Sequence, residues 1–282
     1  MMPRPHHPAA NVTHRIFLAF AVVLAFAGGG CASRPPLKQS TLAQTLDGKQ
    51  AALVMLDADS GRAVRYNPQE CAQRQPPCST FKIWNTLIGL QLELIHSPEE
   101  PFYKWDGQKR SYDQWNQDLT LGQAFAVSCV PAFQALAERI GPERMNHWLQ
   151  TIDYGDRNTS AGPTVFWLPA RGRQTIMISP DEQAQLLRQL VRNEMPFDTQ
   201  KVQVLKQVMR IAATDKGSLY GKTGTGTAGD GTTIAWFVGW VETREGNHAD
   251  VRTFACIAHA PGLAGTDVRS MVRTILEKDG LL

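Results

Sequence analysis

No stretch of this chain is apolar for long enough to cross a bilayer. The longest apolar run, Ile16 to Ala27, has twelve residues, whereas a spanning helix needs about twenty. Runs of lysine and arginine are missing too, and so is any basic stripe, so nothing points to a nucleic-acid partner. The seven histidines show no metal-ligand spacing, and three of them, His6, His7 and His14, lie near the N-terminus. Internal repeats and low-complexity segments are absent. Cysteine is scarce, with five residues: Cys31, Cys71, Cys78, Cys129 and Cys256.

What is present begins with an export pattern. Residues 1–15 carry Arg4 and Arg15 and no acid; the apolar run follows, then Gly28-Gly29-Gly30-Cys31-Ala32-Ser33. A basic start, a short apolar stretch and a small-residue cleavage zone read as a secretory signal over residues 1–33, and an uncleaved anchor is the alternative. Cys31, preceded by glycine, also has the position of the lipidated first residue of a bacterial lipoprotein. Each reading exports the folded part, to the periplasm, with a lipid anchor at Cys31 on the third. Removing the two arginines leaves 27 basic against 26 acidic residues, or +1, so the pI near 8.6 owes much to the discarded segment. Residues 34–282 suffice for one large domain or two intimate lobes, and are read as one catalytic domain. In an oxidising compartment Cys71 and Cys78, close together beside Pro76 and Pro77, are the best candidate pair; the alternative is free thiols, with Cys129 and Cys256 as buried small hydrophobes.

Along the mature chain, Ala51–Leu56 reads as a strand, followed by a turn at Asp57–Gly61 and a return strand near Arg62–Tyr66. Ser79 opens a helix in which Ile83, Leu87, Leu90 and Leu94 recur at helical spacing. Thr120–Ile140 reads as a second helix and Pro142–Ile152 as a third. Ser179-Pro180-Asp181-Glu182 is a capping box opening a helix through Val191. Leu219–Thr223, Thr233–Val241 and Val251–His259 read as strands, and Asp267–Lys278 as a closing helix stopped by Gly280. Strands at both ends with helices between predict an α/β (α+β) fold. Its central antiparallel sheet is flanked by terminal helices, and an all-helical lobe, roughly 79–215, is pushed out so that a cleft lies between them.

Ser79-Thr80-Phe81-Lys82 sets a hydroxyl and an amine three positions apart, on one face of a helix. A serine is a weak nucleophile until a base takes its proton, and a lysine that has lost its own proton can be that base. Alone, this spacing arises by chance. Ser128-Cys129-Val130, Trp167-Leu168 and Lys222-Thr223-Gly224-Thr225-Gly226 are equally bland when taken singly: a helix serine, a packed aromatic, a glycine turn with a surface lysine.

Together, in this order, they form the signature of serine acyl-transferases that act on penicillins. Ser128-Cys129-Val130, Phe166-Trp167-Leu168 and Trp236-Phe237-Val238-Gly239-Trp240-Val241 make the chain resemble the class D β-lactamases, the oxacillinases, from about Ala51 to the C-terminus. Class A enzymes carry Ser-Asp-Asn, and penicillin-binding proteins Ser-x-Asn, in place of Ser-Cys-Val. Penicillin-sensing transducer domains share part of the pattern but stay acylated. Two departures are visible. Asp156 stands in Tyr154-Gly155-Asp156 where the family has asparagine, and the stretch from Trp167 to Ile178 is longer than usual.

The resemblance implies a β-lactamase and transpeptidase-like fold and an enzyme that opens β-lactams through an acyl-enzyme, giving antibiotic resistance. It implies Ser79 as nucleophile and Lys82 as base after carbamylation by carbon dioxide (as bicarbonate), with no metal or organic cofactor. Val130 and Trp167 would line the carbamate pocket. Ser128 would relay a proton to the leaving nitrogen, and the N–H groups of Ser79 and Thr225 would form the oxyanion hole. Lys222, Thr223 and Gly224 would hold the substrate with Arg269, Arg273 being the other arginine considered. Monomer and homodimer both stay open.

Overall fold

The computed structural model describes residues 1–3, 37–228, 230–245 and 248–282; the export segment and Cys31 lie outside the described residues. Helix α1 (Gln39–Leu46) precedes β1 (Gln50–Asp57), β2 (Ala63–Tyr66) and a short α2 (Pro68–Cys71). A 3-10 turn at Cys78–Phe81 runs directly into α3 (Lys82–Gln91). Then come β3 (Pro101–Tyr103), β4 (Leu119–Thr120), α4 (Leu121–Ala126), α5 (Val130–Ile140), α6 (Pro142–Thr151), α7 (Pro180–Val191) and α8 (Thr199–Met209). The chain closes with β5 (Arg210–Ala213), β6 (Gly217–Thr227), β7 (Thr233–Glu245), β8 (His248–His259) and α9 (Gly265–Lys278).

The main sheet has the order β2-β1-β8-β7-β6-β5, with each neighbouring pair antiparallel. Its first long strand pairs with its last, Leu53 opposite Cys256, so both ends of the chain meet in one sheet as expected. β1 reads as an unbroken apolar run because it is buried on both faces. Ala52, Val54 and Leu56 join the core beneath the helical side, whereas Ala51, Leu53 and Met55 join the core under α1 and α9. Each large side chain so buried stabilises the fold by about 1.5–3 kcal/mol. α3 is buried along nearly its whole length, Lys82 to Leu90, and forms the axis of the helical side.

Several expectations change. The helix expected over Thr120–Ile140 is two helices: the chain breaks at Val127–Cys129, with Ser128 in the left-handed region (φ 56°) and Pro131 in the first turn of α5, where its missing N–H costs nothing. The inserted lobe is not all-helical, since β3 and β4 pair within it. It also ends earlier than residue 215: α8 stops at Met209 and β5 joins the main sheet. α7 packs on β1 and β8, beneath the sheet. Its capping box is as expected, Ser179 Oγ accepting from the Glu182 N–H while Glu182 accepts from the Ser179 N–H at 2.8 Å. Cys71 and Cys78 are unpaired buried thiols rather than a disulfide. Cys71 Sγ lies 3.4 Å from Tyr66 O, and Cys78 Sγ 3.6 Å from Pro76 O, each side chain turned to its own neighbour.

Candidate active site

Ser79 sits in the 3-10 turn ahead of α3, a tighter start than the α-helix expected there. A 3-10 turn has three residues per turn and eclipses positions i and i+3, which brings Ser79 and Lys82 directly together. Lys82 Nζ donates to Ser79 Oγ at 2.8 Å. The turn is clamped from several sides. Trp236 Nε1 donates to Pro76 O at 2.9 Å, and Thr80 Oγ1 donates to Pro77 O at 2.8 Å. Cys78, immediately before Ser79, holds φ at 53°, a left-handed conformation that is costly for a residue with a Cβ. β6 runs alongside, and a Cβ at Gly224 would lie 3.0 Å from Pro77 O and 3.1 Å from Thr80 Cγ2. Glycine is what lets the strand come this close.

Lys82 is fully buried and has no carboxylate partner among the described residues. The Phe133 ring lies 5.5 Å from its Nζ. Burial pulls its pKa down to about 7, with the Cys129 and Cys78 thiols acting weakly the other way. Phe81, the residue before it, stacks on Trp167 at 5.4 Å, and Phe166 meets both edge-on. Among the described residues Trp167 Nε1 is buried with no acceptor, and Ser128 Oγ is likewise buried and unpartnered. Val130 opens α5, half-buried, two residues after Ser128. A buried donor and a buried amine that both lack an anionic partner among the described residues fit, in their chemistry, a small anionic group carried on that amine.

The far wall is β6. Beyond Tyr220 it has no β5 partner, and among the described residues no strand pairs with its edge from Gly221 to Thr227 on the side opposite β7. Lys222 is buried; its Nζ donates to Thr223 O at 3.1 Å and approaches Thr223 Oγ1 at 3.4 Å. Its pKa is pushed well down, first by burial, then by the charges of Lys82 and Arg269. Two lysine amines and the Arg269 guanidinium thus act on one another here, and neither Lys82 nor Lys222 has an acidic partner among the described residues, an arrangement that an anion relieves. α9 is locked onto the same strand. Gly265 N donates to Thr225 Oγ1 at 2.8 Å, and a Cβ at Gly265 would meet Gly224 O at 2.6 Å.

Ser79, Lys82, Lys222 and Arg269 therefore come together, with Thr223, Gly224 and Thr225 along the edge strand. α9 begins two residues earlier than expected, so Arg269 stands in its second turn, half-buried. Arg273 is exposed and engaged with Glu277 at 2.7 Å. Sequence reasoning missed Phe133, the ring beside Lys82, and Gly265. Phe133 stands three positions after Val130, one turn along α5, a spacing already present in the helix expected over Thr120–Ile140.

The family model described as the penicillin binding protein transpeptidase domain matches residues 46–253. The probable β-lactamase YbxI of Bacillus subtilis (strain 168) is 38% identical over 229 residues, 81% of this chain and 80% of that protein. The crystal structure of a class D β-lactamase from Bacillus subtilis superposes with a TM-score of 0.79 at 34% identity, covering 88% of this chain and 99% of that one. The chain belongs to the class D β-lactamase family. The regulatory protein BlaR1 of Bacillus licheniformis is also similar, 30% identical over 81% of this chain but only 36% of its own length.

Against the family pattern, Asp156 does an acceptor's work. Its Oδ1 takes the N–H groups of Met177 at 3.0 Å and Asn158 at 3.1 Å. Gly155 before it has φ 51°, and a Cβ there would fall 2.1 Å from Met177 O, so this class D chain has no room for a side chain at that point. The longer stretch after Trp167 folds as a tight turn. Arg173 N donates to Ala170 O at 3.0 Å, its guanidinium donates to Leu168 O at 2.7 Å, and Ile176 N returns to Phe166 O at 2.9 Å.

Proposed function

We propose that the protein hydrolyses the β-lactam ring of penicillin-type antibiotics through an ester on Ser79, and thereby confers resistance. The observation that carries this reading is the buried Lys82 amine, poised near neutrality and 2.8 Å from the Ser79 hydroxyl. A neutral lysine accepts a proton; a charged one does not.

The Lys82 side chain draws the proton from Ser79 as Oγ bonds to the β-lactam carbonyl carbon. The oxygen of that carbonyl gains charge between the N–H groups of Ser79 and Thr225. The ring carbon–nitrogen bond breaks, and Ser128 passes a proton to the nitrogen; its buried, unpartnered hydroxyl is free to do so. Lys222 and Thr223 hold the substrate carboxylate with Arg269, the cationic cluster supplying the attraction. Water then cleaves the ester, returning Ser79 and releasing the ring-opened acid. Carbon dioxide taken up by the neutral Lys82 amine, with loss of one N–H proton, would make that side chain a carbamate base for both half-reactions. Trp167 N–H would hold that group, with Val130 and Phe133 keeping its surroundings apolar. The scheme calls on no metal.

Export is part of the same reading: residues 1–33 carry the signal pattern, and cleavage ahead of Cys31 would leave a residue able to take a lipid anchor. Among the described residues no helix is long and apolar enough to cross a membrane.

Mass spectrometry after mixing with benzylpenicillin tests the function. The expected result is transient added mass that disappears as product accumulates. Mass retained for hours would make the protein a receptor, and no added mass on Ser79 would end the proposal.

A further inference from the structure

The reaction scheme leaves unused a pair of arginines at the tip of the long turn after Trp167. Arg171 and Arg173 are exposed, and neither forms an ion pair among the described residues. From Arg157 to Pro180 the chain contains no aspartate or glutamate, and the third arginine of that stretch, Arg157, is engaged with Asp153 at 3.3 Å. Position matters as much as charge. The turn is pinned where it passes the end of β6: a Cβ at Gly226 would lie 2.6 Å from Pro169 Cγ and 2.7 Å from Cys78 Sγ. Pro169 thus packs against the same point of the strand as the residue before Ser79. The Arg173 guanidinium, held on Leu168 O at 2.7 Å, is fixed one residue from that contact.

Strand direction fixes what lies there. On the proposed reading, on which this inference rests, the ring carboxylate sits at Lys222, Thr223 and Arg269, and the reacting carbonyl at Ser79 and Thr225. In a penicillin the ring carboxylate and the acylamino side chain leave on opposite sides of that carbonyl. The side chain therefore continues past Thr225 toward Gly226 and Thr227, along the edge of β6, to the end of the strand on which Pro169 packs. The acidic residue at this end, Asp230 in the turn after β6, is committed to the Thr232 N–H at 2.8 Å.

We propose that Arg173, aided by Arg171, is a specificity-determining residue that makes the enzyme favour β-lactams whose acyl side chain carries a carboxylate. The departure in loop length noted in the sequence is, on this view, the device that delivers the charge.

The test compares carbenicillin with benzylpenicillin, which differ by one carboxylate on the acyl side chain. In Arg171→Gln with Arg173→Gln the ratio of kcat/KM for carbenicillin to that for benzylpenicillin should fall about five-fold, the scale of a partly screened charge pair. Arg173→Lys should keep most of the ratio, and added salt should lower it in the unmodified enzyme. Arg171→Gln alone, which removes no hydrogen bond within the turn, should show part of the fall. A double variant that lowers both substrates by one common factor would overturn the inference, because a merely structural role acts on both. Unmodified enzyme that cleaves neither substrate would overturn the parent reading, and this inference with it.

Discussion

Lys82 Nζ and Ser79 Oγ stand 2.8 Å apart, the amine closed off from water and the hydroxyl nearly so. The environment that holds them also sets the pH response. Burial lowers the Lys82 pKa from 10.5 to about 7, so protonation below that point removes the acceptor. Turnover of a chromogenic cephalosporin should therefore decline as pH drops through about 7, and Lys82→Ala should abolish it. The effect on folding has a definite sign. Between about 7 and 10.5 the unfolded lysine binds a proton that the native one lacks, so this group makes stability increase with pH across that window and contributes no slope below it. Initial rates and denaturant midpoints across the range check both. A flat rate profile through neutrality, or wild-type turnover in Lys82→Ala, would remove lysine as the base.

Trp167→Phe tests the unpartnered indole. The substitution keeps an aromatic ring against Phe81, which stacks at 5.4 Å, and deletes the buried N–H. The stability loss should be modest, about 1–2 kcal/mol. Turnover should fall further than this implies, with acyl-enzyme accumulating and added bicarbonate restoring part of the rate. Trp167→Ala should add a cavity term, for a loss of about 3–5 kcal/mol. Intact-protein mass spectra taken during turnover, with and without bicarbonate, decide the matter. Free turnover without acyl-enzyme build-up in Trp167→Phe would show that the N–H has no part.

The sequence made the fold legible where one signal had one reading. The Ser179 capping box placed α7 to the residue, because a hydroxyl, a proline and a glutamate at those spacings satisfy a helix start and little else. β7 and β8 were legible as apolar strands, but their final lengths depend on pairing with each other, as Arg244 opposite Ala249 shows. Helices α1 and α8 escaped notice: their apolar positions are few and become a face only against α9 in the first case and α3 in the second. For the site, the motifs named the chemistry but not the supports. Nothing local to Gly265 says that it abuts Gly224 O, since that contact joins residues forty-one positions apart. The break before α5 has its local cause in Pro131, which suits a first helical turn but not a helix interior, and in the left-handed backbone at Ser128.

Arg269 and Arg273 lie one helical turn apart and should behave oppositely. Arg269 is close enough for its charge to depress the Lys222 pKa, whereas Arg273 serves Glu277. Arg269→Ala should raise KM for benzylpenicillin about ten-fold, the scale of one charge-assisted hydrogen bond. Arg273→Ala should lose only an exposed pair worth about 0.5 kcal/mol or less, with KM little changed. Steady-state kinetics of the two variants are enough. A larger KM effect from Arg273→Ala would reassign the carboxylate site.

Asp156→Asn restores the residue expected of the family. Both bonds that Asp156 accepts go to one oxygen, Oδ1, which an amide oxygen reproduces. Its thermal midpoint and kcat should stay near wild type, within about 0.5 kcal/mol in stability. Gly155→Ala should behave quite differently, because a methyl group would strike the Met177 carbonyl at a positive φ. A loss of several kcal/mol, about 3 or more, is expected there. Parallel melts separate the two; a stable Gly155→Ala protein would mean that the contact between Gly155 and Met177 yields to a methyl group.

The four cysteines of the folded region should be silent until the protein opens. Cys71, Cys78, Cys129 and Cys256 are all buried and unpaired. Burial also pushes the Cys71 and Cys78 thiols up to about 12, so almost no thiolate, the reactive form, exists at neutral pH. A thiol-specific chromogenic reagent should therefore label none of the four in the native protein, and all of them after denaturation without reductant. The site gives this result a second reading. Cys78 flanks Ser79 and Cys129 flanks Ser128, so labelling of either during slow local opening should track the loss of activity. Recovery of only two thiols in denaturant would instead establish a bridge, with Cys71 and Cys78 the first pair to map.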